Sequence, residues 1–167
     1  MEIEGATFLF ALAALMITFG GFSALLLGIR QAAGHRSSPI DRYLVKTLLI
    51  QIFVLTAGSL LPPLLALYGI SETWVWRGSA LLFAIPMLGL LLTYPYRRRK
   101  AVGKGPPPIV FAIFVVLGSV VILAMLAWIF GGFGHQPAVY ITALFANFLT
   151  TAFALIRALD VIMQEPA

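Results

Sequence analysis

Five long apolar runs occupy most of the chain, and they restrict what it can fold into more than any other feature. Ala6–Ile29, Gly78–Tyr96 and Ile109–Phe130 contain no charged residue. Tyr43–Tyr68 has only Lys46, near its start, and Val139–Ile162 has only Arg157 and Asp160, near its end. About 20 apolar residues in a helix cross the ~30 Å hydrocarbon core of a bilayer, so each run is long enough to span. The runs show no alternation of polar and apolar residues, and in lipid a helix bonds its own backbone, so helices are expected rather than strands. The fold expected is all-α: a single transmembrane domain over residues 1–167, with spans at about 6–29, 43–68, 78–96, 109–130 and 139–162.

Composition agrees, with 61% of residues hydrophobic and only 10% charged. Soluble domains carry about a quarter charged residues, so a water-soluble fold would lack the polar surface to cover itself. There is no cysteine, which excludes disulfides, thiolate ligands and cysteine nucleophiles. The opening Met1-Glu2-Ile3-Glu4 is acidic where a signal peptide would be basic, so the first run reads as a permanent span.

The net charge of +5 is gathered in two clusters between spans and does not indicate nucleic-acid binding. Arg30, Arg36, Arg42 and Lys46 form one cluster, and Arg97, Arg98, Arg99, Lys100 and Lys104 the other. The third run is the shortest and holds Pro86 near its middle, yet its crossing puts both clusters on one side together with Arg157. Only Arg77 then lies opposite, as the positive-inside rule requires. The topology expected is five spans with the N-terminus outside and the C-terminus cytoplasmic, in the plasma membrane, a bacterial inner membrane. Tyr68, Trp74, Trp76, Trp128 and Tyr140 are expected as aromatic anchors at the outer boundary, with Tyr43, Tyr94 and Tyr96 at the inner one. Phe19-Gly20-Gly21-Phe22 recurs as Phe130-Gly131-Gly132-Phe133, but at non-equivalent positions, so no internal repeat is read from it.

Small residues recur every fourth position in two spans, as Gly20, Ala24 and Gly28 in the first and as Ala138, Thr142, Ala146, Thr150, Ala154 and Ala158 in the fifth. Such ridges let helix backbones approach closely, within one chain or in a homodimer or complex with a partner membrane protein. Gln51 and Asn147 sit well inside their spans, where hydrogen bonds across helices are expected.

Pro62 and Pro63 lack N–H groups, so the carbonyls of Gly58 and Ser59 lose their helical donors, and Pro86 does the same to Leu82. Freed carbonyls either mark a kink or contact ions and substrates in a broken helix. The candidate contacts are therefore Gln51, Gly58, Ser59, Pro62, Pro63, Pro86 and Asn147. No span carries a charge at its middle, which argues against a proton-coupled transporter. Arg157 and Asp160, three residues apart near the inner boundary, can pair with each other as an anchor. Arg97, Arg98, Arg99 and Lys100 are expected to meet anionic lipid at the cytoplasmic face.

No catalytic residue is indicated. His35 and His135 fall on opposite faces, and only scattered Glu2, Glu4 and Glu72 accompany His135, so no metal site is expected. Phosphate-loop, His-Glu helix and serine-elbow motifs are missing, and no cofactor is implied. In layout and length the chain resembles the tryptophan-rich translocator sensory family of outer-mitochondrial and bacterial membrane proteins. It departs from that family in having three tryptophans only and no Trp context around Leu61-Pro62-Pro63, so no function or residue is carried over. In style it looks like small bacterial inner-membrane proteins. The expectation is a non-enzymatic interaction or accessory subunit. The alternative is a small transporter or channel for a small or amphipathic solute, working through the Pro-broken second and third spans.

Overall fold

The computed structural model describes residues 3–32, 39–105, 108–129 and 136–164. Five helices follow one another: α1 (Ala6–Ala32), α2 (Pro39–Ala66), α3 (Glu72–Val102), α4 (Pro108–Ile129) and α5 (Gln136–Gln164). Among the described residues there is no strand. Prolines open α2 and α4, where a missing N–H costs nothing because the first helical turn has no acceptor for it. Stretches Ala6–Leu25, Arg42–Ala66, Glu72–Val102 and Pro137–Ile156 are long and apolar enough to cross a membrane. The 22 residues of α4 carry no charge.

The third helix is the longest, although the apolar run that announces it is the shortest. It continues through Pro86 and Pro95 and takes in Glu72 at one end and the Arg97–Lys100 cluster at the other. Gly103, in the left-handed region at φ 73°, stops it and donates its N–H to the Arg99 carbonyl at 2.9 Å. A side chain there would be strained, which is why glycine ends the helix. The turn between α2 and α3 is equally tight. Leu67, Tyr68 and Gly69 each donate three residues back at 3.1–3.2 Å, and Gly69 has a φ of 69°.

Helix contacts run α1–α2, α2–α3, α3–α4 and α4–α5, with α5 also touching α1, α2 and α3. The result is a ring of five in chain order, closed by α5 against α1 and crossed by α5 against α2 and α3. Two contacts set the antiparallel register of α2 and α3, Gly58 against Phe83 and Gly78 against Leu65. The first turns of α1 and α5 lie together, since Ile141 occupies the space a Cβ would fill at Gly5. Their faces meet through an aromatic ladder. Phe8 packs edge-on against Phe145 at 6.2 Å, Phe145 stacks on Phe148 at 5.9 Å, and Phe148 stacks on Phe19 at 5.5 Å.

The core repeats at helical spacing. Leu9, Leu12 and Met16 face inward from α1, Leu48, Ile52, Leu55 and Ser59 from α2, and Trp76, Ala80 and Phe83 from α3. On α5 the inward face is Tyr140, Leu144, Asn147, Thr151 and Leu155. Every buried polar side chain among the described residues is neutral: Ser23, Ser59, Ser79, Asn147 and Thr151. Outside the core, large apolar side chains stand exposed around the bundle, including Ile17, Phe53, Ile85, Leu123 and Phe153. A water-facing monomer does not sustain so much exposed apolar surface, and a lipid-facing one does.

Three residues expected at the membrane boundaries are instead core residues. Trp76 and Tyr140 are fully buried, and Tyr43 is 8% exposed. Tyr68, Trp74 and Tyr96 do face outward. The belt rule concerns depth along the bilayer normal and carries no information about rotation round the helix, and these rings are turned toward their neighbours. The Trp128 side chain lies outside the described residues.

Candidate functional site

The Pro-broken part of α2 lies at the junction with α3 and α5. Pro62 leaves the Gly58 carbonyl without its helical donor, and the Tyr140 hydroxyl supplies one from α5 at 2.7 Å, across 82 residues of chain. The contact depends on Gly58 having no side chain. A Cβ there would lie 2.5 Å from Phe83 Cδ2 and 3.1 Å from Leu144 Cδ2. Tyr140 is held on its other sides by Trp76, at 5.7 Å between ring centroids, and by Phe83 at 6.2 Å. Aromatic rings therefore fill the space beside the broken turn.

Two donors at this junction stay without a partner among the described residues, Trp76 Nε1 and Ser79 Oγ, both on fully buried side chains. They are one helical turn apart on α3, and the α2–α3 register puts Ser79 level with Pro62 and Pro63. Pro63 denies the Ser59 carbonyl its helical donor, while the Ser59 hydroxyl bonds back to the Leu55 carbonyl at 2.9 Å. Pro62 is buried and Pro63 half-buried. Pro86 is exposed, as is Leu82, and it lies two helical turns along α3 from Ser79. The two proline breaks therefore do not share a site.

The remaining polar candidates are dispersed. Asn147 is buried and donates to the Ala143 carbonyl of its own helix at 2.9 Å, while Thr151 donates to the Asn147 carbonyl at 2.9 Å. Gln51 is half-buried on α2. The interhelical hydrogen bond of the junction is made by Tyr140 and not by either amide. Sequence reading missed it because Tyr140 stands near a span end, and only the Pro62 signal marks its acceptor.

Of the first small-residue ridge, Gly20 packs on Ile52, whose Cγ2 would lie 3.4 Å from an added Cβ. Ala24 and Gly28 are exposed, and nothing lies within 4 Å of a Cβ at Gly28. On α5, Thr142 is exposed and Ala146, Thr150 and Ala154 are half-buried, beside the buried stripe of Tyr140, Leu144, Asn147 and Thr151.

At the far end of α3, Arg97 and Arg98 are half-buried while Arg99 and Lys100 are exposed. Arg97 Nη2 reaches back to the Leu90 carbonyl at 3.4 Å, and Arg98 Nη1 donates to the Gly105 carbonyl. Arg97 Nε and the Tyr43 hydroxyl are both buried and find no partner among the described residues. Tyr94 stacks on Phe111 of α4 at 6.5 Å.

Among the described residues no three His, Asp or Glu gather into a metal-binding group. Glu2, His35, Arg36, the Phe130–Phe133 repeat and His135 lie outside the described residues, as do the side chains of Arg30, Arg157, Ala158 and Asp160. Compared with known proteins, the chain matches no family model, no curated protein and no solved structure.

Proposed function

We propose that the chain is a five-span membrane protein acting as a non-enzymatic interaction or accessory subunit of a bacterial inner membrane. The observation that carries this reading is the closed junction of α2, α3 and α5. The carbonyl that a Pro-broken transport site would present to a solute is bonded to Tyr140, and Trp76 and Phe83 pack around that phenol. The same bundle leaves Ala24 and Gly28 uncovered on α1, where a second transmembrane helix can approach closely. The partner is another membrane protein or a second copy of the chain. In the orientation we assign, the N-terminus is outside, the C-terminus is cytoplasmic and α4 crosses as well, which brings the crossings to five. The uncharged length of α4 and the side-by-side first turns of α1 and α5 support an odd number of crossings. The Arg97–Lys100 end then meets anionic headgroups on the cytoplasmic side.

A photo-crosslinking residue at Gly28, in cells, tests the assignment. A discrete protein adduct at Gly28, not formed from Leu123 on the exposed face of α4, is expected. Lipid-only products at both positions would remove the interaction reading. The transporter alternative is favoured by one observation, the partnerless Trp76 Nε1 and Ser79 Oγ beside Pro62 and Pro63. Solute-dependent flux in proteoliposomes that stops on replacing Ser79 by Val would establish it.

A further inference from the structure

Residues stepped by four and three share one face of a helix, and on α3 such a line faces the core through Trp76, Ala80 and Phe83, all fully buried. Its continuation through Met87, Leu90 and Tyr94 is only half-buried. The facing line on α2 changes in the same way, from Pro62, Gly58 and Leu55, which are buried, to Gln51, Thr47 and Leu44, which are half-buried. The Gly58–Phe83 contact sets the register, so counting away from it along the antiparallel pair brings Gln51 level with Leu90. Both lines loosen at one depth, just past that contact. Lipid meets other faces, Phe53 and Ala57 on α2 and Ile85, Leu88 and Leu92 on α3. The half-buried lines therefore mark a cleft within the bundle, between α2 and α3, that opens toward the Arg97 end. From Arg97 to Met87 it is about 15 Å deep. Arg97, the next residue on the α3 line, folds into it, with Nη2 at 3.4 Å from the Leu90 carbonyl. An arginine at a span end ordinarily snorkels toward water, so water at the level of Leu90 is what lets this one turn inward. Gln51 at that level has an amide without a partner among the described residues, a costly state in a dry interior and an ordinary one in water.

We propose that the inner half of the bundle holds a water-filled vestibule between α2 and α3, open to the cytoplasmic side, in which Arg97 favours small anionic solutes. Neither residues 43–58 of α2 nor residues 83–102 of α3 include an acidic side chain to offset the guanidinium, and apolar walls focus the field of a single charge. The vestibule ends blind, because Phe83 against Gly58 and Tyr140 closes it, so it binds and does not conduct. It goes beyond the accessory-subunit reading and takes from it only the assigned orientation.

The test uses the absence of native cysteine, since a thiol reacts with methanethiosulfonates only where water lets it ionise. Full-length Gln51→Cys and Leu90→Cys variants, in inside-out membrane vesicles, meet an impermeant sulfonate-bearing reagent or a trimethylammonium-bearing one. Each rate is divided by that of the same reagent with a free thiol in solution. Both positions are expected to react, the sulfonate reagent about tenfold ahead of the ammonium one. Fully buried Leu55→Cys and lipid-exposed Phe53→Cys are expected to stay unmodified over the same time. Adding Arg97→Gln to Gln51→Cys should erase the preference without stopping the reaction, while adding Lys100→Gln should change it less than about twofold. Two positions are read so that misfolding of one variant does not decide the result. No reaction at Gln51 and Leu90, or equal reaction at Phe53, would overturn the vestibule. Reaction without a charge preference, or with one that survives Arg97→Gln, would overturn the anion selectivity. Modification from the outer side alone would overturn the cytoplasmic mouth. All of these outcomes leave the adduct at Gly28 free to succeed or fail, so the vestibule and the accessory-subunit reading are judged separately.

Discussion

At the scale of single residues, the junction of α2, α3 and α5 turns on one phenol. Proline leaves a carbonyl unbonded in a place water does not reach, and Tyr140 answers it at 2.7 Å. Replacing Tyr140 by Phe keeps the packing on Trp76 and Phe83 and removes only the donor, so it isolates the hydrogen bond. Hydrogen bonds between membrane helices contribute modestly, but an orphaned buried acceptor costs more than the bond alone contributes. Tyr140→Phe should therefore lose about 1–2 kcal/mol in reversible detergent unfolding from bicelles. Ser79 presents the reverse case, a fully buried hydroxyl without a partner among the described residues. Ser79→Ala removes an unsatisfied group at little loss of volume, and the same unfolding measurement should give equal or higher stability. Pro62 and Pro63 revealed in the sequence that acceptors would be freed. Which side chain would reach them was not legible there, because the donor lies 82 residues away.

At the scale of helices, close approach is decided by one glycine. Phe83 of α3 rests against Gly58 of α2, and a methyl group there would meet the ring at 2.5 Å. Gly58→Ala should push α3 away and cost about 1–3 kcal/mol, as over-packing does elsewhere. Gly89→Ala, with nothing within 4 Å of its added Cβ, should cost nothing measurable. Adding Phe83→Leu should recover part of the loss in Gly58→Ala, which separates steric conflict from a backbone effect. Gly58 was singled out in the sequence for its carbonyl, while its role as a contact point needed the register of α2 against α3. The Gly20, Ala24, Gly28 series was legible as a ridge, yet among the described residues Gly20 packs on Ile52 while Ala24 and Gly28 are exposed. Spacing determines that small residues share a stripe, and tertiary contacts decide what the stripe faces. The helix α3 is also longer than one bilayer crossing requires. Its 31 residues extend roughly 46 Å, beyond the hydrocarbon core, so Glu72 and the arginines stand clear of it at either end.

At the scale of the whole molecule, the ring of five helices has an apolar core holding a few neutral polar groups, and large apolar side chains around the outside as well. The absence of cysteine makes single-cysteine reporters directly usable. A cysteine at Glu72 should react with impermeant reagent from outside the cell, and one at Lys100 only after the cytoplasmic side is opened. A reporter on the chain's N-terminal end should side with Glu72 and one on its C-terminal end with Lys100. Agreement between the two ends instead would mean an even number of crossings. The apolar runs, their lengths and the placing of basic residues are one-dimensional properties, since transfer into lipid is summed along each segment. That is why the helices and the likeness of the exterior to lipid could be read from the sequence by itself. The inward turn of Trp76, Tyr140 and Tyr43, the Tyr140–Gly58 bond and the folding back of Arg97 are properties of facing surfaces. From α1 to α4 the spanning segments are apolar nearly all round, so no hydrophobic stripe tells one of their faces from another. The tertiary structure alone decided them, through the fit of rings, glycines and broken turns between helices.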